Sequence, residues 1–267
     1  MRALQLTAWG EPPELRDVPV PEPAPGQVLV RVAGAGACHS DLHLLEAPDG
    51  LIPYPLPFTL GHENTGWIAA LGAGVVPVDG LRDGDPVAVY GPWGCGWCRA
   101  CRTSAENICE RKPLGEAIGG GIGADGGMAE YMLVPSPRLL VPLGDLDPVE
   151  AAPLGDAALT PYHAIAPSRG DLVPGTTAVV IGAGGLGHMA IQLLRATTPA
   201  RVIAIDKDEQ KLSLARDMGA DDTINASDDA AARVKAGTRG LGAELVIDLV
   251  GADDTLGLGV QCLRARG

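Results

Sequence analysis

A glycine-rich turn at residues 182–187 restricts the second half of the chain to few folds. Its residues, which fit the pattern G-x-G-x-x-G, are Gly182-Ala183-Gly184-Gly185-Leu186-Gly187. The turn follows the apolar strand 178–181 and opens an amphipathic helix, which is the setting of a dinucleotide-binding turn. Gly182 permits the tight turn, Gly184 lets a pyrophosphate approach the backbone, and Gly187 lets helix and strand pack closely. Pattern and setting together predict a βαβ unit that binds a dinucleotide.

Strands and helices are predicted to alternate after about residue 175. The strands are predicted at 178–181, 201–205, 223–224 and 245–247, and the helices at 186–195, 208–218 and 255–264. Gly219 is predicted to close the second helix. This order is typical of an α/β domain with a doubly wound parallel sheet. Such a domain usually has about six strands, so we expect the sequence to stop before the domain is complete; a complete, smaller domain is the alternative.

The predicted cofactor is NAD. Gly185 and Leu186 begin the helix, whose free N–H groups and partial positive charge attract phosphate. Asp206 ends the second predicted strand, nineteen residues beyond Gly187, where a carboxylate binds the adenosine ribose hydroxyls and repels a 2′-phosphate. Lys211 could reach the same ribose, or it could be an ordinary solvated lysine. The alternative to the whole site is a purely structural βαβ unit.

The first part of the chain has a different pattern. Short alternating apolar stretches, separated by glycine and proline, lie at 28–32, 86–90 and 132–134. Turn signals such as Pro25-Gly26 and Asp83-Gly84 divide them. The pattern predicts an all-β, barrel-like domain over residues 1–150, followed by the dinucleotide-binding domain over residues 151–267.

Four of the six cysteines form a compact cluster. They are Cys95, Cys98, Cys101 and Cys109. Because four thiolates complete a tetrahedral zinc shell and leave no open position, this cluster predicts a structural zinc site. An iron–sulfur cluster could use similar residues, but the single-loop spacing and the rest of the chain favour zinc.

A second metal site is predicted around Cys38 and His62. The two residues occur in the segments Cys38-His39-Ser40-Asp41-Leu42-His43 and Gly61-His62-Glu63. One thiolate and one imidazole are two ligands of an open zinc site, which needs a third protein ligand besides water or substrate. Singly, a cysteine or histidine here would more often be a buried structural residue.

Composition and charge exclude several classes of partner. The formal net charge of −13 disfavours nucleic acid and anionic membrane surfaces as partners. No apolar run approaches the ~20 residues of a membrane-spanning helix, and the N-terminus reads as an alternating strand without a signal-peptide stretch. We therefore expect a soluble, cytoplasmic protein.

With these motifs, the chain resembles the medium-chain, zinc-dependent alcohol dehydrogenases over essentially its whole length. In that family a GroES-like β-barrel catalytic domain carries both zinc sites, and a Rossmann domain follows. The resemblance implies a third zinc ligand at Asp156, where the best-known members have cysteine and some bacterial secondary-alcohol relatives have aspartate. A carboxylate is an accepted zinc ligand; the alternative is that Asp156 caps the helix after it. The resemblance also implies a homodimer or homotetramer for the full-length protein.

Further roles follow from the same resemblance. Ser40 matches the hydroxyl residue that binds the substrate alcohol, and His43 matches the histidine that passes the proton toward solvent. His39 matches a position near the pyrophosphate that is often basic. Glu63 matches a glutamate that approaches the metal when water or substrate leaves, and Asp41 is expected to orient a ligand.

The predicted reaction is the reversible oxidation of an alcohol, with zinc as a Lewis acid and NAD as the hydride acceptor. A small or aryl secondary alcohol is the expected substrate, by family analogy only. A polyol or amino-alcohol dehydrogenase of the same superfamily is one alternative. The other is a zinc- and nucleotide-binding fragment without turnover.

Overall fold

The computed structural model describes residues 1–76, 80–112, 118–227, 229–265 and 267. These residues form two compact units, Met1–Asp156 and Ala157–Gly267. In the part of the chain that is described, no helix has the length and apolar character needed to cross a membrane.

The first unit is built mainly from antiparallel strands. Its strands are β1 (Arg2–Leu6), β2 (Glu14–Asp17), β3 (Val28–Gly36), β4 (Phe58–Thr59), β5 (Glu63–Leu71), β6 (Pro86–Val89), β7 (Gly119–Gly120), β8 (Gly123–Ala124), β9 (Tyr131–Val134) and β10 (Leu140–Pro142). Five of them form a sheet in the order β10-β6-β5-β3-β9, and three form a sheet in the order β2-β1-β4. The short β7 and β8 pair with each other.

Alternation along the strands produces the core of this unit. Val28 and Val30 of β3 are fully buried, and they pack with Ile68 of β5 and with Met132 and Val134 of β9. Side chains two positions apart lie on the same face of a strand. The apolar residues of each strand therefore share one face, and these faces pack together to form the core. The predicted strands at 28–32, 86–90 and 132–134 are thereby confirmed.

Strand β5 was not predicted, although it lies at the centre of the larger sheet. Its sequence contains a glycine, Gly66, which weakens a strand pattern. The structure explains this glycine, because a Cβ at Gly66 would lie 2.1 Å from the carbonyl oxygen of Arg31. The β3 and β5 backbones approach closely here, beside an irregularity in their pairing, and leave no room for a side chain at this position.

The described residues of the first unit include the α-helices α1 (His39–Glu46), α2 (Arg99–Arg102) and α3 (Pro148–Ala151). The unit ends at Asp156, six residues beyond the boundary expected at residue 150. The reason is that α3 packs on the sheet of the first unit, where the Thr65 hydroxyl donates a 2.5 Å hydrogen bond to the Pro148 carbonyl.

The second unit is a parallel α/β fold. Its strands are β11 (Thr177–Ile181), β12 (Arg201–Asp206), β13 (Asp222–Asn225) and β14 (Leu245–Asp248), and its helices are α4 (Leu159–Ile165), α5 (Gly185–Thr197), α6 (Glu209–Asp217), α7 (Ala230–Gly237) and α8 (Asp253–Cys262). The strand order is β13-β12-β11-β14, with all pairs parallel. The order of the predicted elements is confirmed, and Gly219 follows α6 with a φ of +103°.

Two details of the second unit differ from the sequence-based expectation. Helix α7 was not predicted because its alanine-rich sequence has a weak apolar periodicity; Asp229 caps it by accepting a hydrogen bond from the Ala232 N–H. Helix α8 was expected at 255–264, but it begins and ends two residues earlier. Thr255 closes its first turn, because the Ala252 N–H donates to the Thr255 hydroxyl.

Candidate active site and metal centres

Pairing between β3 and β5 brings Cys38 and His62 together. Gly36 at the end of β3 pairs with Glu63 at the start of β5. Cys38 lies two residues after Gly36, and His62 lies one residue before Glu63. An antiparallel register therefore places two residues 24 positions apart in the sequence at one end of the sheet.

Asp41 contacts both of these residues. Cys38 precedes α1 as its N-cap, and its backbone N–H donates a 2.8 Å hydrogen bond to Asp41 Oδ2. The other oxygen, Oδ1, lies 3.3 Å from Nδ1 of the buried His62 ring. One buried carboxylate thus fixes the backbone of Cys38 and faces the ring of His62.

Asp156 completes a group of three donor side chains. Its Oδ2 lies 3.5 Å from Cys38 Sγ and 3.7 Å from His62 Nε2. Helix α4 starts at Leu159 with Ala158 as its N-cap. Ala158, and not Asp156, is therefore the N-cap of the helix that follows.

The donor set fits a zinc ion. Tetrahedral zinc with ordinary bond lengths holds its sulfur, nitrogen and oxygen ligands about 3.3–3.6 Å apart, close to the two separations observed. His62 Nε2 is buried and has no hydrogen-bond partner among the described residues. Burial lowers the pKa of His62, but close contacts with the Asp156 and Asp41 carboxylates and with the cysteine thiol outweigh it and raise the pKa to about 11. The site thus favours a positive charge at this position.

Glu63 is not part of this group. The described residues whose donor atoms lie within 4.8 Å of one another here are Cys38, His62 and Asp156. Glu63 is the first residue of β5, and its carboxylate extends toward Gly36, where an added Cβ would lie 1.9 Å from Glu63 Oε2. The Glu63 carboxylate thus extends toward β3, while His62, which precedes β5, contributes its imidazole to the donor group.

The remaining predicted residues of this site lie on α1. Ser40 Oγ is 3.8 Å from Cys38 Sγ, next to the donor set. His43 is exposed and lies three residues further along the helix, hence on the same helix face as Ser40. The exposed His39 ring packs edge-on against His43 with ring centroids 5.0 Å apart.

The four clustered cysteines converge on one point. The Sγ atoms of Cys95 and Cys101 are 3.9 Å apart, and those of Cys98 and Cys109 are 4.0 Å apart. Four thiolates around a zinc ion with bonds of about 2.3 Å would be about 3.8 Å apart, whereas a disulfide would bring two sulfurs to about 2.05 Å. The spacing therefore matches a closed zinc site.

Backbone N–H groups support the thiolate form in the lobe formed by residues 95–109, which carries the four cysteines. Hydrogen bonds from the backbone of Cys101 and of Cys95 lower the pKa values of Cys98 and Cys109, respectively. Burial and the neighbouring thiols raise the pKa of Cys101. The Trp97 and Cys98 N–H groups both donate to Cys95 Sγ at 3.4 Å.

Two basic residues that bind the backbone around the four cysteines were not predicted from the sequence. Arg138 binds the carboxylate of Glu106 and the carbonyl of Gly94. The Lys112 ammonium donates to the carbonyls of Trp93 and Ile118. Arg138 lies 32 residues beyond Glu106 and 44 residues beyond Gly94, and no local signal in the sequence indicates either contact.

The glycine turn has the geometry expected of a dinucleotide-binding turn. Gly182 has a φ of +88°, which disfavours other residues. A Cβ at Gly187 would lie only 2.0 Å from the Gly182 carbonyl oxygen, so α5 packs closely on β11. Around Gly184 and Gly185 an added Cβ would meet nothing within 4 Å. The open side of the turn is thus the start of α5, which Leu186 continues.

Asp206 is tied to the glycine turn. Its Oδ2 accepts a 2.8 Å hydrogen bond from the Ala183 N–H, and its Oδ1 accepts a 3.0 Å bond from the Asp208 N–H. The carboxylate at the end of β12 is therefore held beside the turn. Lys211 is exposed on α6.

A cavity of about 500 Å³ lies at the opposite end of this sheet. It is lined by the first residues of β11 and β12, whereas dinucleotides bind at the carboxyl ends of parallel strands. Three arginines at its border pair with carboxylates: Arg195 with Asp221, Arg201 with Asp222 and Arg264 with Glu244. This cavity is therefore not the cofactor site.

Comparisons with known proteins agree with this arrangement. Residues 24–145 match the family described as alcohol dehydrogenase GroES-like domain. Residues 185–267 match the family described as zinc-binding dehydrogenase. The first match covers most of the β unit, and the second begins within the glycine turn.

Individual relatives match all or nearly all of the chain. An NAD-dependent alcohol dehydrogenase of Sulfurisphaera tokodaii is 41% identical over 276 residues, which cover 100% of this chain and 76% of the relative. A D-arabinose 1-dehydrogenase (NADP(+)) of Saccharolobus solfataricus is 38% identical, covering 95% and 71%. The crystal structure of the alcohol dehydrogenase of Aeropyrum pernix superposes with a TM-score of 0.88 at 39% identity, covering 100% and 77%. The chain therefore belongs to the zinc-dependent, medium-chain alcohol dehydrogenase family, and it is an NAD-dependent oxidoreductase that interconverts alcohols with aldehydes or ketones.

Proposed function

We propose that Cys38, His62 and Asp156 hold the catalytic zinc ion and that a small or aryl secondary alcohol is the substrate. The observation that carries the assignment is the buried His62 Nε2, which faces the Cys38 thiol and the Asp156 carboxylate without a hydrogen-bond partner among the described residues. A zinc ion held there would act as a Lewis acid that lowers the pKa of an alcohol hydroxyl.

Two residues of α1 supply the proton path in this proposal. The Ser40 hydroxyl, beside Cys38 Sγ, accepts the proton of the alcohol as it donates its own toward solvent. His43 is one helical turn further along and exposed, so its imidazole exchanges the proton with water. Asp41 orients His62 and Cys38 by the two contacts described above.

The second unit binds NAD in this proposal. The N–H groups at the start of α5, beside the open space at Gly184 and Gly185, would hold the pyrophosphate. Asp206 accepts hydrogen bonds from the adenosine ribose, and its fixed negative charge repels a 2′-phosphate. Exposed Lys211 and His39 remain candidates for the ribose and the pyrophosphate, respectively.

The four-cysteine lobe holds the second zinc ion in this proposal. Cys95, Cys98, Cys101 and Cys109 offer four sulfur ligands and no open position. The site therefore stabilises the lobe and takes no part in the reaction. From the family resemblance we also propose a homodimer or homotetramer, and the cytoplasm as the location.

The experiment is NADH formation by the purified protein with a panel of alcohols, with and without a zinc chelator. The panel contains 1-phenylethanol, 2-propanol, ethanol, sorbitol, threonine and arabinose. Chelator-sensitive turnover that is fastest with the secondary alcohols supports the proposal. Faster turnover of sorbitol, threonine or arabinose would support the polyol or amino-alcohol alternative, which the arabinose dehydrogenase relative favours. Bound zinc and NAD without turnover would identify a non-catalytic protein.

The ligand assignment is tested separately by zinc content. Asp156→Asn is expected to lower bound zinc from about two ions per chain to about one and to abolish turnover. Asp145→Asn, at an exposed carboxylate of the same unit, is the matched control and keeps both. Two zinc ions in the Asp156 variant would refute the ligand set.

A further inference from the structure

Asn64 is a buried polar residue that neither the zinc ligands nor the proton path accounts for. It lies two residues after His62, and 1% of its surface is exposed. Its Nδ2 donates a 2.9 Å hydrogen bond to the carbonyl oxygen of Gly61. That carbonyl belongs to the peptide bond that joins Gly61 to His62, so Asn64 contacts the backbone that carries the ligand.

The same peptide is held from a second side. The Gly127 N–H donates a 3.0 Å hydrogen bond to the Gly61 carbonyl. At the preceding peptide, the Met128 N–H donates a 2.8 Å bond to the Leu60 carbonyl. Gly61 itself has a φ of +95°, a conformation that only glycine adopts without strain. The backbone before His62 therefore has an unusual conformation, which the Asn64 amide and the Gly127 and Met128 N–H groups fix.

Three glycines make room for this arrangement. A Cβ at Gly121 or at Gly126 would lie 2.2 Å from the Gly61 carbonyl oxygen. A Cβ at Gly127 would lie 2.1 Å from Asn64 Oδ1. A side chain at any of these positions would displace either the carbonyl or the amide that binds it.

Within the described part of the chain, the donor end of the Asn64 amide is paired and the acceptor end is not. Asn64 Oδ1 is buried and has no hydrogen-bond partner among the described residues. A buried acceptor without a partner is unfavourable. Any stabilisation of the backbone before His62 by this amide therefore comes from the hydrogen bond that its Nδ2 donates. An aspartate would keep the shape but would place a carboxylate against the Gly61 carbonyl, and an alanine would remove the donor.

We propose that Asn64 is a positioning residue for the catalytic zinc site: it fixes the Gly61–His62 peptide and thereby holds His62 Nε2 toward Cys38 and Asp156. The inference rests on the proposed ligand set. Because His62 comes directly after the fixed peptide, loss of the Asn64 donor lets its ring turn away from the other two ligands. Groups that orient a metal ligand typically contribute about 10–100-fold to metal affinity or activity.

The test compares zinc release from the unaltered protein, Asn64→Ala and Asn64→Asp. Zinc transfer to a chromogenic chelator is followed over time, and cobalt(II) replaces the catalytic zinc so that its absorption reports ligand geometry. In both variants we expect one of two zinc ions to leave about 10-fold faster or more, with an altered cobalt spectrum. Gln5→Ala is the matched control, since Gln5 is another buried amide of this unit, and it donates to Thr59 Oγ1 at 3.4 Å. Its zinc release should be unchanged.

Gly127→Ala tests the position of the Asn64 amide from a neighbouring residue. The added Cβ displaces the Asn64 amide, so this variant should release zinc as fast as Asn64→Ala. The double variant should be no worse than Asn64→Ala, because removing the amide removes the clash. If Asn64→Ala does not fold, Asn64→Asp and Gly127→Ala carry the test.

The outcomes separate this inference from the proposed function. If His62→Ala keeps two zinc ions, the ligand set is wrong, and the role of Asn64 falls with it. If His62→Ala loses one zinc ion while folded Asn64 variants release zinc like the unaltered protein, the ligand set stands and the inference is refuted. Additive losses in Asn64→Ala and Gly127→Ala would also refute it, since each would then act on its own.

Discussion

Alanine substitutions at two glycines of the 182–187 turn are expected to impair different properties. Gly187→Ala should lower the folding stability, and Gly184→Ala should weaken cofactor binding. At Gly187 a Cβ would lie 2.0 Å from the Gly182 carbonyl oxygen. Nonbonded heavy atoms prefer separations of about 3.5 Å, so Gly187→Ala forces a shift of about 1.5 Å between α5 and the turn. At Gly184 a Cβ meets nothing within 4 Å, so the protein itself does not oppose Gly184→Ala.

The expected magnitudes follow from this difference. Overpacking of a closely packed contact costs about 1–3 kcal/mol, and we expect Gly187→Ala to lose at least this much stability. Gly184→Ala should change stability by no more than about 0.5 kcal/mol. Its methyl group occupies the space of the pyrophosphate, so NADH affinity should fall about 10-fold or more, which is about 1.4 kcal/mol.

Urea unfolding measures the first effect, and NADH titration followed by fluorescence measures the second. The reasoning is refuted if Gly187→Ala is as stable as the unaltered protein. It is also refuted if Gly184→Ala binds NADH normally, or if it loses stability and affinity together, because the open side of the turn would then not be the phosphate site.

Three further changes test other parts of the structure. Asp41→Asn should weaken catalytic zinc binding about 10–100-fold by chelator competition, because its charge faces His62 and its Oδ2 accepts from the Cys38 N–H; unchanged affinity would contradict this role. Cys109→Ser should remove one zinc ion and lower the melting temperature while NADH affinity is kept, which metal analysis and calorimetry would show; a full zinc content would count against the closed site. Glu244 has a lowered pKa: burial opposes this, but hydrogen bonds from the Thr177 N–H and from Arg264 outweigh burial. Its ionised form therefore adds stability that is present above its ordinary pKa of 4.5 and is lost as the pH falls through the lowered value. The stability difference between Glu244→Gln and the unaltered protein should thus be present at neutral pH and vanish in acid, which urea unfolding across pH measures; a difference independent of pH would contradict the assignment.

The sites that could be predicted from the sequence are those built from neighbouring residues. The four cysteines lie within fifteen positions, and the turn at 182–187 lies between its own strand and helix. Local geometry therefore determines both, and their spacing alone indicates the chemistry. The alternation of strands and helices after residue 175 was predictable for the same reason, because each element carries its own apolar period.

The catalytic candidate required long-range information. Cys38 and Asp156 are 118 residues apart, and Cys38 meets His62 only through the register of β3 with β5. Strand β5 has no clear pattern of its own, since Asn64 and Gly66 interrupt it. Residue spacing therefore indicated two ligands, and the third came from resemblance to a family and not from any physical signal in the chain.

The ligands of the two metal centres are supported in different ways, and this difference should appear in how each responds to mutation. In the lobe, backbone N–H groups donate directly to the sulfurs of Cys95 and Cys98, and such donors survive most side-chain substitutions. At the other centre, the Asp41 and Asn64 side chains bind the backbone that carries Cys38 and His62. Substitution of these non-ligand residues should therefore weaken the catalytic zinc site while leaving the lobe intact.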